Sequence, residues 1–208
     1  YKDELALTRL AIPGNFSVHN ALGAIAVGLS LGISLADCCD AMASAKGVKG
    51  RVEVVPTDGD YSIIIDYSHK PGALETVLQT LRPVVKGRLV CLFGCGGDRD
   101  KVKRPIMGAI AADNSDFVIV TSDNPRTEEP EEIIREIVAG MKNKRTPKKV
   151  ICDREEAIHW AIDNARPGDV ILLAGKGHED YQVVGHEKRH MDEREIVADW
   201  LEKRKQRG

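Results

Sequence analysis

The chain has 208 residues, enough for one large domain or for one domain with part of another, and 42% of them are hydrophobic, which supports a real core. A net charge of -2 provides no general attraction to nucleic acid or to anionic lipid, so any anion must be held by local groups. No apolar run reaches the length that crosses a bilayer, and the start, Tyr1-Lys2-Asp3-Glu4, is charged at once and has no initiator Met; a piece of a longer protein without a signal peptide is expected.

Residues 18–31 form a predicted helix of small side chains (Ala21, Gly23, Ala24, Ala26, Gly28) that can pack closely against a neighbour. A second helix is predicted after Ser34 as N-cap, ending near Gly47. Two helices without a sheet read as the tail of a preceding domain, with a boundary near Val48-Lys49-Gly50-Arg51. From there the pattern alternates. Strands are predicted at 51–55, 61–66, 88–93, 116–121, 149–152, 169–173 and 181–184. Helices are predicted at 73–85 (Leu74, Val77, Leu78 and Leu81 at helical spacing), at 130–141 after Pro130, at 155–165 after Asp153 as N-cap, and at 192–204. Such alternation predicts an α/β fold with a mostly parallel, doubly wound sheet. The short, polar segment 181–184 is expected to be its antiparallel edge strand. Five scattered cysteines (Cys38, Cys39, Cys91, Cys95, Cys152) without a CxxC pair point to reduced thiols and a cytoplasmic setting.

The motifs sit where strands end, which is where parallel sheets build their sites. Asp123-Asn124-Pro125-Arg126 follows the apolar run 117–122. Pro125 stops the strand, and Arg126 offers a planar fork suited to a carboxylate. Alone, the tetrapeptide is no more than a strand-to-helix turn with a surface arginine. Gly94-Cys95-Gly96-Gly97-Asp98-Arg99-Asp100 can bring backbone N–H groups close to an anion, but arginine stands where the third glycine of a dinucleotide fingerprint belongs. Gly175-Lys176-Gly177-His178-Glu179 lacks the upstream glycine and the Ser/Thr of a P-loop; Glu179 suits an ammonium group, and an ordinary glycine turn explains the motif equally well. Asp66-Tyr67-Ser68-His69-Lys70-Pro71 ends another strand; Asp66 can accept from ribose hydroxyls, and His69 reads as a base, a ligand or a surface residue. No metal-ligand spacing and no nucleophile–base set stands out, so covalent catalysis is not expected.

Taken together and in order, Gly14-Asn15-Phe16-Ser17-Val18-His19-Asn20-Ala21-Leu22, Gly50-Arg51, Asp66-Tyr67, Gly96-Gly97-Asp98-Arg99, Asp123-Asn124-Pro125-Arg126 and Gly175-Lys176-Gly177-His178-Glu179 resemble the Mur ligases, ATP-dependent amide-forming enzymes of peptidoglycan synthesis. Within that family the resemblance is strongest to members that add meso-diaminopimelate. It implies a Rossmann-like C-terminal amino-acid-binding domain over residues 50–208, preceded over residues 1–49 by the helical end of the central ATP-binding domain. It also implies that Asn20, Arg51 and Asp66 face ATP, and that Arg99, Asp123, Asn124, Pro125, Arg126, Gly175 and Glu179 hold meso-diaminopimelate. Arg126, assisted by Asn124, is the expected clamp on the second carboxylate, the group that lysine lacks. Serine stands at Ser17, where the family has asparagine. The family's P-loop, carbamylated lysine and Mg2+ ligands have no counterpart in the chain and are expected ahead of Tyr1, so the chain by itself is expected to be inactive. The implied partners are ATP, Mg2+, the UDP-sugar dipeptide and the amino acid, with no nucleic acid and no membrane insertion. The alternatives are a lysine-adding relative, a folylpolyglutamate or cyanophycin synthetase, and a non-catalytic nucleotide-binding module.

Overall fold

The computed structural model describes residues 1–10 and 14–206, leaving aside the side chains of Asn15 and Phe16. Those two side chains belong to the first of the resembling motifs and lie outside the described residues. The chain divides into two compact units, Tyr1–Val48 and Lys49–Gly208.

In the first unit, α1 (Asn15–Ser30) and α2 (Leu35–Ser44) pack against each other. The approach depends on Gly28: a Cβ there would stand 2.6 Å from Cys38 Sγ. The predicted N-cap is present, with Ser34 Oγ accepting from Asp37 N at 3.1 Å. Leu22, Val27 and Leu31 are exposed.

The second unit is built on a six-stranded sheet in the order β1 (Glu53–Val55), β2 (Ser62–Asp66), β6 (Val170–Ala174), β3 (Leu89–Phe93), β4 (Phe117–Val120), β5 (Lys148–Val150). All neighbours are parallel except β1, which runs antiparallel to β2. The chain leaves a gap between β2 and β3 that β6 returns to fill. β6 and its neighbours are buried on both faces, which is why they read as continuous apolar runs. The outer strand β5 is exposed and carries Lys148 and Lys149, charges that discourage pairing with another sheet.

Strand alternation sends Ile63, Ile65, Val90, Leu92, Ile119, Ile171 and Leu173 to one face. There they meet Ala157, Ile158, Ala161 and Ile162 of α6 (Arg154–Asp163), and Val197 and Leu201 of α7 (Glu193–Lys205). The other face is covered by α3 (Pro71–Leu81), α4 (Lys103–Asn114) and α5 (Pro130–Ala139), which lie side by side. Each buried aliphatic side chain contributes roughly 1.5–3 kcal/mol, so this two-sided burial dominates the fold. The expected caps hold: Asp153 accepts from Glu156 N at 2.9 Å, and Pro130 opens α5 with Glu131 and Glu132 in its first turn.

Three sequence expectations need correction. The segment β7 (Tyr181–Val184) is not the edge of the sheet. It pairs with β8 (Glu187–His190) in a separate two-stranded ribbon, and the antiparallel edge is β1. β8 gives no strand signal because Glu-Lys-Arg-His is polar throughout and exposed on every residue. α4 is absent from the predicted helices because its buried face carries Arg104 and Gly108, which interrupt the apolar period.

Gly108 sets the distance between α4 and α5: a Cβ there would fall 2.1 Å from the carbonyl oxygen of Ile137. Backbone cannot yield as a flexible side chain can. Gly108→Ala is therefore expected to lose about 1–3 kcal/mol or more of stability despite its better helix propensity. Urea denaturation measures the loss; an unchanged midpoint would remove Gly108 as the packing constraint.

Candidate functional site: a cavity of mixed charge at the strand ends

The register aligns Asp66 with Ala174, Ala174 with Phe93, and Phe93 with Val120. Four strands therefore end level, and the loops that follow them rise together. Two of these loops are joined backbone to backbone. Gly97 N donates to Asn124 O at 2.8 Å, and a Cβ on Gly97 would lie 1.8 Å from Pro125 O, so only glycine fits. Gly94 is equally confined, its Cβ position being 2.4 Å from Thr121 O.

Beneath this junction lies Arg104, with no exposed side-chain surface. Its guanidinium makes two parallel bonds to Glu128, Nη1–Oε2 at 3.0 Å and Nη2–Oε1 at 2.9 Å, and a third to Glu136 at 2.9 Å. Bidentate pairing of this kind gives direction as well as energy. Glu128 Oε1 also accepts from Asp98 N at 2.6 Å, so the ion pair holds the loop that carries Arg99. The Arg104 guanidinium, with help from the Asp98 amide, draws the Glu128 carboxyl down to about 2. A second buried arginine, Arg154, donates to Ser122 O, Ala174 O and Glu193 Oε1, tying the ends of β4 and β6 to α7.

The loop after β4 is fixed by the β7–β8 ribbon. Arg126 N donates to Val183 O at 3.0 Å and Gly185 N donates to Arg126 O at 2.7 Å. These bonds hold Arg126 in the left-handed region, φ 52°, which a non-glycine residue enters only at a cost. Gln182 Nε2 donates to Asp123 O at 2.6 Å, and Val183 N donates to Asn124 Oδ1 at 2.9 Å. Arg126 Nη1 donates to Gly97 O at 2.8 Å. The same Nη1 also donates to Asn124 O at 3.5 Å, and among the described residues Nε and Nη2 have no protein acceptor.

Together these loops enclose a cavity of about 590 Å³. Arg99, Asp123, Asn124, Arg126, Gly175 and Glu179 all line it. The cavity lining thus carries two guanidinium groups, Arg99 and Arg126, the lysines Lys70 and Lys103, and three carboxylates, Asp100, Asp123 and Glu179, a set that suits a ligand carrying both signs of charge. Pro125 is outside the lining; it is buried, and its carbonyl accepts from Glu128 N. Asn124 is almost fully engaged, with Nδ2 donating to Glu179 Oε2 at 3.0 Å and Oδ1 accepting from Lys176 and Val183. It acts as a bracket between loops. Tyr67, His69, Lys70 and Lys103 form a further wall that the sequence pattern does not reveal as a unit.

Of the three residues expected at a nucleotide, Asp66 is buried and accepts from Val52 N at 2.9 Å and from the Ser68 hydroxyl. Arg51 is exposed and lies over the Tyr67 ring, 4.9 Å from its centroid. Asn20 is exposed on α1 in the first unit. Among the described residues no three of His, Cys, Asp and Glu are grouped to hold a metal ion, and no helix is long and apolar enough to cross a membrane.

A mostly parallel α/β sheet with a charged cavity at its carboxyl edge has the arrangement in which open α/β folds place their ligand sites. The model of the Mur ligase glutamate ligase domain matches residues 50–177, and the chain belongs to the Mur ligase family. It is 48% identical over 202 residues to the UDP-N-acetylmuramoyl-L-alanyl-D-glutamate--2,6-diaminopimelate ligase of Syntrophomonas wolfei, covering 97% of this chain and 41% of that protein. The ligase of the same name from Synechocystis is 52% identical over 190 residues, covering 90% and 37%. A solved structure of a 2,6-diaminopimelate ligase superimposes with a TM-score of 0.74 at 36% identity, covering 95% of this chain and 40% of that one. A UDP-N-acetylmuramate-alanine ligase from Thermotoga maritima, 23% identical with a TM-score of 0.70, shares the fold. The chain spans 37–41% of the length of these curated relatives.

The Glu128 carboxyl is depressed from 4.5 to about 2, so its pairing with Arg104 stabilises the folded state fully above pH 4.5 and loses that effect as the pH falls toward 2. Glu128→Gln is expected to lower stability at neutral pH and to flatten the acid limb of the stability profile across that window. Thermal melts between pH 2 and 7 measure this; parallel profiles for the two proteins would contradict it.

Proposed function

We propose that the chain is the amino-acid-accepting part of an ATP-dependent amide ligase that adds meso-diaminopimelate to UDP-N-acetylmuramoyl-L-alanyl-D-glutamate. The observation that carries this reading is the convergence of Arg99, Arg126, Asp123 and Glu179 on one cavity. The 2,6-diaminopimelate in the names of its relatives supports it. meso-Diaminopimelate has an ammonium and a carboxylate at each end, and within the more highly charged lining Arg99 and Arg126 with Asp123 and Glu179 supply one opposite charge for each.

In this reading Arg126 takes the carboxylate that lysine lacks, Arg99 takes another carboxylate, and Glu179 and Asp123 take ammonium groups, with Gly175 allowing close approach. The γ-carboxylate of the D-glutamate is activated by phosphoryl transfer from ATP, and the diaminopimelate amine then displaces phosphate to form the amide. No protein nucleophile is needed. The domain's work is orientation, which can contribute on the order of 7–11 kcal/mol to such a step. Arg51, an exposed cation on an aromatic face, fits a contact to the nucleotide. Asp66, which already accepts from Val52 and Ser68, fits as the support behind Tyr67, and Asn20 is proposed as a nucleotide contact from α1. Mg2+ would offset phosphate charge during transfer, and no ligand for it is assigned on this chain. Residues 1–49 are proposed to be the end of the ATP-binding domain, and the activity is proposed to be cytoplasmic.

Calorimetric titration of the chain with meso-diaminopimelate and with lysine tests the assignment. A charge-assisted hydrogen bond that lysine cannot make corresponds to about 1.5–3 kcal/mol, so a preference of about tenfold or more for diaminopimelate is expected. Arg126→Ala is expected to abolish that preference by weakening diaminopimelate alone. Equal affinity of the unaltered chain for the two amino acids would favour a lysine-adding relative and overturn the assignment.

A further inference from the structure

Lys176 follows Gly175 at the end of β6, and its side chain is completely buried. Its Nζ stands 3.3 Å from Asn124 Oδ1, 3.4 Å from Glu179 Oε2 and 3.6 Å from Asp123 Oδ1. The centroid of the Tyr181 ring is 5.6 Å from the same Nζ. Removing an ammonium from water costs several kcal/mol, and replacing a buried ion pair with apolar groups of similar volume is often neutral or stabilising. Packing alone therefore does not call for a charge here. The polar partners of this ammonium are three residues of the cavity wall.

We propose that Lys176 is a positioning residue that shapes the wall to receive an ammonium group of the ligand. The proposal rests on the reading of the cavity as an amino-acid site. Lys176 holds Asn124 Oδ1, which turns Nδ2 toward Glu179. Glu179 Oε2 then has two donors, Asn124 Nδ2 and Lys176 Nζ, which leaves Oε1 as the oxygen to face a ligand. Asp123 is drawn toward the same ammonium, and its Oδ2 lies 3.5 Å from the point where a Cβ on Gly175 would stand. Gly175, with φ 115°, keeps that space open. The buried cation thus sits behind two carboxylates, hydrogen-bonded to Glu179 and ion-paired at longer range with Asp123, and their other oxygens form a receptor for a second cation.

The test compares two ligands on the 208-residue chain. meso-Diaminopimelate and 2-aminopimelate share both carboxylates, and the second has one ammonium fewer. The unaltered chain is expected to prefer diaminopimelate by about tenfold, the effect of one charge-assisted hydrogen bond. In Lys176→Met the preference is expected to fall to about threefold or less, with the affinity for 2-aminopimelate retained. A preference unchanged in Lys176→Met would overturn the proposal, as would an equal loss of both ligands, which marks a general structural role. Should the unaltered chain bind neither ligand, the cavity reading itself fails, and this inference with it. If Lys176→Met does not fold, Asp123→Asn/Glu179→Gln is compared with the same variant carrying Lys176→Met as well, so that the cation is removed together with both carboxylates it meets. Equal ligand preference in these two variants supports the coupling, and a further decline on adding Lys176→Met overturns it.

Discussion

The site depends on the contact between the loops that follow β3 and β4. Gly97 lies so close to the Pro125 carbonyl that no side chain can come between them, and its N–H is bonded to Asn124 O. That contact turns two neighbouring strand ends into one rigid platform. Arg99 projects from one half of it and Arg126 from the other. The Arg104–Glu128 pair below and the ribbon bonds beside it reinforce a geometry that the glycine makes possible.

Charge in this molecule is sorted by depth. Arg104, Arg154 and Lys176 are buried and each meets backbone or carboxylate oxygens, holding loops in place. Arg99 and Arg126 are less buried and line the cavity. Sequence does not separate these positions, because a buried arginine and a cavity-lining arginine are the same letter. Burial and partners do separate them.

Much of the fold was legible because parallel strands buried on both faces leave long apolar runs, and because caps such as Asp153 and Ser34 are local signals. The cavity residues were legible because the polar punctuation after those strands, Gly-Gly-Asp-Arg, Asp-Asn-Pro-Arg and Gly-Lys-Gly-His-Glu, falls where sites form. What stayed hidden depends on distant partners. α4 carries a charge on its buried face that only Glu128 and Glu136 explain. β8 has no apolar face to reveal it. Lys176 looked like one of several charges in a glycine turn until its neighbours from the β4 loop were in place. Asn124 is a bracket because Val183 and Glu179 reach it from elsewhere in the chain.

The β7–β8 ribbon lies outside the six-stranded ladder yet supplies the bonds that keep Arg126 in its unusual backbone state. A two-stranded ribbon is only marginally stable by itself. Its amides should therefore exchange with solvent through local openings that leave the buried strands closed. During such an opening the Arg126 turn would relax toward an ordinary backbone conformation and release its guanidinium. Occupation of the cavity would then be linked to ribbon closure, and slower deuterium uptake at Val183 and Gly185 would report an occupied cavity without any movement of the sheet.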